Sequence, residues 1–239
     1  MELTDKVAIV TGSGRGIGKA IAIALAQQGA RVVASSRTLG EISAVVREIE
    51  TLGRQALAIR TDISQESDVN SMVSKAIQKF GTVDILVNNA GIGSFARVAD
   101  LSAVDFDRMW GVNMRGVFLC TKAVLPHMVK QNSGDIINIS SLAGRNAFIG
   151  GAGYCSTKWG LIGFARCLML EVRAYNVRVI TVCPGSVDTG FGRDSQAHPR
   201  SAGEIPQADD IARVITDTLR MPRHVMVSEV DVRPTNPKH

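Results

Sequence analysis

The sequence predicts an α/β fold: one doubly wound, parallel sheet of about seven strands flanked by helices. Three observations carry this. Short apolar runs alternate with stretches of helical periodicity along almost the whole chain. The runs are continuously hydrophobic rather than hydrophobic at every second residue, the pattern of strands buried on both faces. Glycines stop the first three helical stretches, at Gly29, Gly53 and Gly81.

Taken in order, Lys6–Val10 is a strand, followed by a glycine turn and a helix over Ile17–Gln28. Arg31–Ala34 is the second strand and Leu39–Leu52 the second helix; Ala56–Arg60 and Ser67–Phe80 repeat the unit. Val83–Val87 is a fourth strand, running into Asn88-Asn89-Ala90-Gly91. Phe106–Val129 reads as one long helix, with Pro126 a kink near its end because proline cannot donate to the ladder. Asp135–Ile139, a helix over Tyr154–Tyr175, and Val177–Val182 continue the rhythm; a helix over Asp209–Leu219 and a strand over Val225–Val230 close it. Right-handed crossovers between such units produce a doubly wound sheet. No repeat, linker or low-complexity tract divides residues 1–239, so a single domain is expected, with a substrate lid over about 185–206 where periodicity lapses.

Composition excludes several function classes. Hydrophobic residues are 45% and charged residues 21%, as in ordinary globular domains. The net charge of +5 comes from 27 basic and 22 acidic residues that are scattered, so no nucleic-acid footprint forms. No apolar run is long enough to span a membrane, and the amino terminus lacks a signal layout, so a cytoplasmic protein is expected. Cys120, Cys155, Cys167 and Cys183 form no C-x-x-C pair and read as buried reduced thiols. His127, His198, His224 and His239 show no metal spacing and read as surface residues, so no metal is expected.

The first strand-to-helix turn carries the first chemical signal. The G-x-G-x-x-G pattern fails, since counting from Gly12 the third glycine would fall at Ile17; what stands there is Gly12-x-x-x-Gly16-x-Gly18. Glycines at such a turn let the backbone approach a pyrophosphate, and free N–H groups with the helix dipole favour the anion. At the end of the second strand, where a carboxylate would take the ribose hydroxyls of NAD, the chain reads Ala34-Ser35-Ser36-Arg37. Arg37 and Arg15 instead suit a 2′-phosphate, because a guanidinium fork stays charged and binds phosphate bidentately. NADP(H) is therefore expected to be preferred, with NAD(H) possible.

The second signal is Tyr154-Cys155-Ser156-Thr157-Lys158, with Ser141 thirteen positions upstream and Asn113 further back. On a helix, Tyr154 and Lys158 share a face. A nearby cation lowers the pKa of a phenol, which would turn Tyr154 into a usable base at neutral pH. Of the adjacent Ser140 and Ser141, only one should face a substrate, since strand neighbours point oppositely.

These residues and their order resemble the short-chain dehydrogenase/reductase family over nearly the whole chain, and more narrowly its 3-oxoacyl-[acyl-carrier-protein] reductases. The resemblance implies a Rossmann-type fold and an NAD(P)-dependent enzyme that interconverts a carbonyl and a secondary alcohol. It implies Tyr154 as general acid/base, Lys158 tuning it and holding the nicotinamide ribose, Ser141 polarising the substrate oxygen, and Asn113 holding a relay water. It also implies a cofactor lining of Gly12, Ser13, Arg15, Gly16, Ile17 and Gly18 at the turn, with Arg37. Asp62 and Ile63 would lie at the adenine, and Asn89, Ala90 and Gly91 on the adenosine side. Pro184, Gly185, Val187 and Thr189 would wrap the nicotinamide end.

The family pattern leaves the substrate open. Ile136–Ser141 and Gly160–Phe164 look like the acyl-carrier-protein reductases. The tail, Val227–Thr235, looks more like dehydrogenases of small hydroxy acids and other small alcohols. Phe191, Arg193, His198 and Arg200 stand in the lid, where they either meet an anionic substrate or, in the preferred reading, the charged ones are solvated. Two further classes remain as alternatives. A non-catalytic cofactor-binding regulator on the same fold is opposed by the complete Asn113, Ser141, Tyr154 and Lys158 set. A sugar-nucleotide epimerase is opposed by the short stretch after Pro184. The resemblance also implies a homotetramer or homodimer joined through the two long helices.

Overall fold

The computed structural model of the chain describes residues 3–191 and 205–236. Its strands are β1 (Val7–Thr11), β2 (Arg31–Ser36), β3 (Ala56–Arg60), β4 (Ile85–Asn88), β5 (Gly134–Ile139), β6 (Val177–Pro184) and β7 (Glu229–Val232). The helices are α1 (Gly16–Gln27), α2 (Leu39–Thr51), α3 (Glu66–Phe80), α4 (Ala103–Trp110), α5 (Val117–Lys130), α6 (Ala152–Val172) and α7 (Ala208–Arg220). All seven strands join one parallel sheet in the order β3-β2-β1-β4-β5-β6-β7. The chain winds outward from β1 to β3, then returns to lay β4 on the other side of β1. That reversal parts the loops beyond the carboxyl ends of β1 and β4 and opens a crevice there.

Alternation along each strand sorts the core into two layers. Ala8 and Val10 of β1 face one way, packing with Ile21 and Leu25 of α1, Ile42, Val45 and Ile49 of α2, and Ile211, Ile215 and Leu219 of α7. Val7 and Ile9 face the other, with Met72 and Phe80 of α3, Val124 and Met128 of α5, and Leu168 and Val172 of α6. Covered on both sides, the inner strands β1, β2, β4, β5 and β6 have almost no solvent face, which is why the sequence there reads as apolar runs.

Most element boundaries fall within a few residues of the sequence reading, and the exceptions have causes. The expected helix over Phe106–Val129 starts earlier, at Ala103, because the Ser102 hydroxyl accepts the Asp105 N–H at 3.0 Å and caps the end. Its winding is not uniform: Gly111–Gly116 forms a π-helical segment between α4 and α5. The helix then runs through Pro126 to Lys130, so the irregularity lies at the π segment that carries Asn113. The last strand begins at Glu229 rather than Val225, because the Val225 N–H is spent on a turn to the Pro222 carbonyl. Cys167 is exposed on α6, whereas Cys120, Cys155 and Cys183 are buried as expected. Of the lid, residues 192–204, including Arg193, His198 and Arg200, lie outside the described residues, as does His239. The two described ends of that loop meet, with the Asp188 N–H donating to the Pro206 carbonyl at 3.1 Å.

At the sheet edge opposite the crevice, Asp135 and Arg178 stand in register on β5 and β6 and are both buried. Arg178 donates to Asp135 at 2.6 Å and to the carbonyls of Leu219 and Met221, which end α7. Arg223 donates to the other Asp135 oxygen at 2.8 Å. Removing the carboxylate would strand a buried guanidinium, a change that costs about 3–5 kcal/mol in comparable settings. Asp135→Ala should therefore lower the unfolding free energy by about that much in denaturant titrations. A loss below about 1 kcal/mol would show the cluster to be solvated.

Candidate active site

The crevice measures about 1260 Å³ and runs from the end of β2 past β1 and β4 to the loops after β5 and β6. Its first wall is the turn from β1 into α1. Gly12 and Gly16 have φ of +65° and +55°, a region that side chains resist. A Cβ on Gly12 would also stand 2.8 Å from the Ala90 Cα, and one on Gly18 would collide with the Gly12 carbonyl and the Asn89 amide. Asn89 draws these parts together, donating to the carbonyls of Thr11 at 2.9 Å and Gly12 at 3.1 Å. The Thr11 hydroxyl in turn accepts the N–H groups of Asn89 and Ala90. Arg15, at the N-cap of α1, offers no side-chain cap, and the first turn has no acidic residue. The uncapped helix start faces the crevice with its N–H groups and dipole, which suits a pyrophosphate.

Toward β2 the crevice is lined by Arg15, Arg37, Thr38, Glu41, Asp62 and Ile63. Both arginines are exposed. Burial alone would raise the Asp62 carboxyl, but hydrogen bonds from Ser64 and the charges of Arg37 and Arg60 more than offset it and hold it below its usual value. Glu41, from the first turn of α2, lies against Gly14, so a carboxylate does reach this region, though from a helix rather than the strand end. Ser13 does not line the wall: its hydroxyl is buried and accepts the Ser35 N–H at 2.8 Å.

At the other end, Ser141, Tyr154 and Lys158 converge with Gly91, Pro184, Gly185, Val187 and Thr189. The two serines divide as strand alternation predicts. Ser140 donates its hydroxyl to the Lys158 carbonyl at 3.2 Å, while Ser141 accepts the Ala143 N–H at 3.1 Å and hydrogen-bonds the Tyr154 hydroxyl. The Lys158 ammonium donates to the Ile139 carbonyl at 2.8 Å and lies 5.7 Å from the centre of the Tyr154 ring. Lys158 is only 5% exposed, and burial pulls its ammonium down to about 8. Burial likewise pushes the Tyr154 phenol up to about 12, with the Ser141 hydrogen bond pulling the other way. The lowering expected from the neighbouring cation is not seen here: desolvation is the largest effect on the phenol, and the Ser141 hydrogen bond is what opposes it.

Asn113 sits behind this wall rather than in it. Its amide nitrogen donates to the Ile92 carbonyl at 2.8 Å and to the Thr157 hydroxyl at 3.0 Å, and its oxygen accepts the Ile92 N–H at 2.9 Å. The π segment aims it there, in keeping with the frequency of such segments at functional sites. Spacing in the sequence missed Thr157 and Glu41, and also Phe95, which with Phe191 packs on Tyr154, and Phe148, which packs on Phe95. No motif links residues so far apart. Among the described residues, no group of histidines, cysteines and carboxylates gathers to hold a metal, and no helix is long and apolar enough to cross a membrane.

Residues 6–200 match the short chain dehydrogenase family model. The chain is 41% identical over 200 residues to a 3-oxoacyl-[acyl-carrier-protein] reductase of Synechocystis sp., covering 82% of this chain and 80% of that one. It is similar in structure to an alcohol dehydrogenase of Thermococcus sibiricus complexed with 5-hydroxy-NADP, with a TM-score of 0.90, 32% identity, and 98% and 99% of the two chains covered. It is also similar to a metagenomic short-chain oxidoreductase in complex with NADP, with a TM-score of 0.87, 36% identity, and 99% and 100% covered. The chain belongs to the short-chain dehydrogenase/reductase family, as an NAD(P)-dependent oxidoreductase acting on CH–OH groups.

Proposed function

We propose that the protein is an NADP(H)-dependent carbonyl reductase and secondary-alcohol dehydrogenase in which Tyr154 is the general acid/base. The observation that carries this is the Tyr154 phenol hydrogen-bonded to Ser141 over the buried Lys158 ammonium, at the end of a crevice that begins at an uncapped helix. When bound, the cofactor supplies a hydride to the carbonyl carbon, or takes one from the alcohol. Tyr154 gives its proton to the carbonyl oxygen as the C=O π pair becomes the new O–H bond, and it recovers a proton from solvent. Ser141 holds that oxygen in place. Lys158 offsets the phenolate charge and donates toward the ribose. Asn113 is a positioning residue in this reading, clamping Ile92 to Thr157 one residue before Lys158.

Arg15 and Arg37 support the 2′-phosphate, whereas the Glu41 carboxylate favours ribose hydroxyls and is the observation that keeps NAD(H) open. Four free cysteines support a reducing compartment, the cytoplasm. A homotetramer or homodimer through the long helices is supported by the outward Phe106 and Trp110 of α4, Phe118 of α5 and Trp159 of α6, all exposed. We read the substrate as a small carbonyl, with 3-oxoacyl thioesters and small hydroxy acids as the neighbouring classes.

Tyr154→Phe should lower turnover by about 10²–10⁴-fold while NADPH binding, followed by fluorescence, stays close to that of the parent. Substantial residual activity would contradict the assignment. Because the buried phenol holds its proton tightly, alcohol oxidation should climb with pH between about 7 and 9 while ketone reduction does not, a contrast readable in paired pH profiles. Arg37→Ala should cost roughly tenfold in kcat/KM with NADPH and little with NADH; equal efficiency of the parent enzyme with both cofactors would refute the preference. Trp159→Glu should dissociate the assembly in light-scattering measurements, and an unchanged mass would remove that helix from the interface.

A further inference from the structure

The crevice also constrains what flanks the carbonyl. The Phe95 ring meets Tyr154 edge-on, with centroids 5.4 Å apart and planes at 70°. Phe148 tilts against Phe95 at 5.9 Å, and Phe191 tilts against Tyr154 at 5.9 Å. The rings come from three separate loops, and all line the crevice. Gly93 makes room for two of them: a Cβ there would lie 2.9 Å from Phe95 and 3.3 Å from Phe191.

Their burial is what needs explaining. Tyr154 is 8% exposed, yet Phe95, Phe148 and Phe191 are 38%, 48% and 50% exposed around it. Half-exposed rings gathered on one concave wall mark a place where apolar surface is covered by a ligand. Tilted and edge-on packing leaves ring faces and edges open to another ring, in the orientations aromatic pairs prefer. The cations that line the crevice are few among the described residues. Lys158 donates to the Ile139 carbonyl, and Arg145 is held by Glu229 and Asp231. Arg15 and Arg37 belong to the β2 end. Among the described residues that line the crevice, no cation besides Lys158 therefore stands at the rings' end to meet a carboxylate.

We propose that the substrate is a neutral aryl ketone, and its product the benzylic secondary alcohol, with the substrate ring seated among Phe95, Phe148 and Phe191 while its carbonyl meets Ser141 and Tyr154. This rests on the hydride-transfer reading above and deepens it.

The test compares kcat/KM for acetophenone, 2-butanone and pyruvate in the parent enzyme and in Phe148→Ala and Phe191→Ala, whose half-exposed sites spare the core. The acetophenone to 2-butanone ratio should exceed about tenfold in the parent and fall roughly fivefold in each variant. In parallel, saturation-transfer NMR with NADP⁺ present, which cannot reduce a ketone, should show acetophenone binding that weakens in both variants. A parent ratio near one, ratios unmoved by the substitutions, or pyruvate turned over as well as acetophenone would overturn the proposal. Ring-dependent binding without turnover of any ketone would sink the hydride-transfer reading and leave the aromatic seat standing.

Discussion

The close approach of the β1–α1 turn to the end of β4 is the constraint on which the rest of the site depends. Gly12 abuts Ala90, and Gly18 abuts both the Gly12 carbonyl and the Asn89 amide, with no room for a Cβ at either glycine. Asn89 and Thr11 lace the two segments through four hydrogen bonds. These contacts sit where the winding of the sheet reverses, so they hold shut the base of a crevice that topology opens. They also fix where α1 begins, and hence where its unpaired N–H groups point. An anion cradle is thus assembled almost entirely from backbone, which is why glycine dominates it.

The chemical end is built differently, from buried polar side chains held by partners on other elements. Burial pushes the Tyr154 phenol and the Lys158 ammonium both toward their neutral forms. The sheet supports them from behind, with the Ile139 carbonyl taking the ammonium and Ser140 taking the Lys158 carbonyl. Such burial is costly unless hydrogen bonds are satisfied, and here the residues around each group supply them. Nearby, Glu229 of β7 accepts from Arg166 of α6 and from Arg145 after β5; Arg166 chiefly, and Arg145 with it, draws the carboxyl down to about 2 against the opposing effect of burial. That tie fastens the last strand to the helix that carries Tyr154.

Where the sequence misled, the cause was an interaction between distant residues. Periodicity marked one long helix after β4, but its π segment arises where Asn113 reaches across to Ile92 and Thr157. The end of the β2 strand lacked a carboxylate, yet folding brings Glu41 from α2 to the same neighbourhood. Ser13 looked like part of the glycine cradle and is instead spent on Ser35. Cys167 read as a buried thiol, while the rotation of α6 turns it outward.

The sequence by itself determined the rhythm of strands and helices, the parallel sheet, the glycine turn, and the residue types that fall together at its carboxyl edge. It could do so because these follow from local periodicity, turn chemistry and chain order, which are properties of neighbours. Only the tertiary structure decided the burial that sets the protonation of Tyr154 and Lys158, the clamp at Asn113, and the ring wall of Phe95, Phe148 and Phe191. Those depend on which distant segments meet and on how much water remains between them, and no spacing along the chain encodes either.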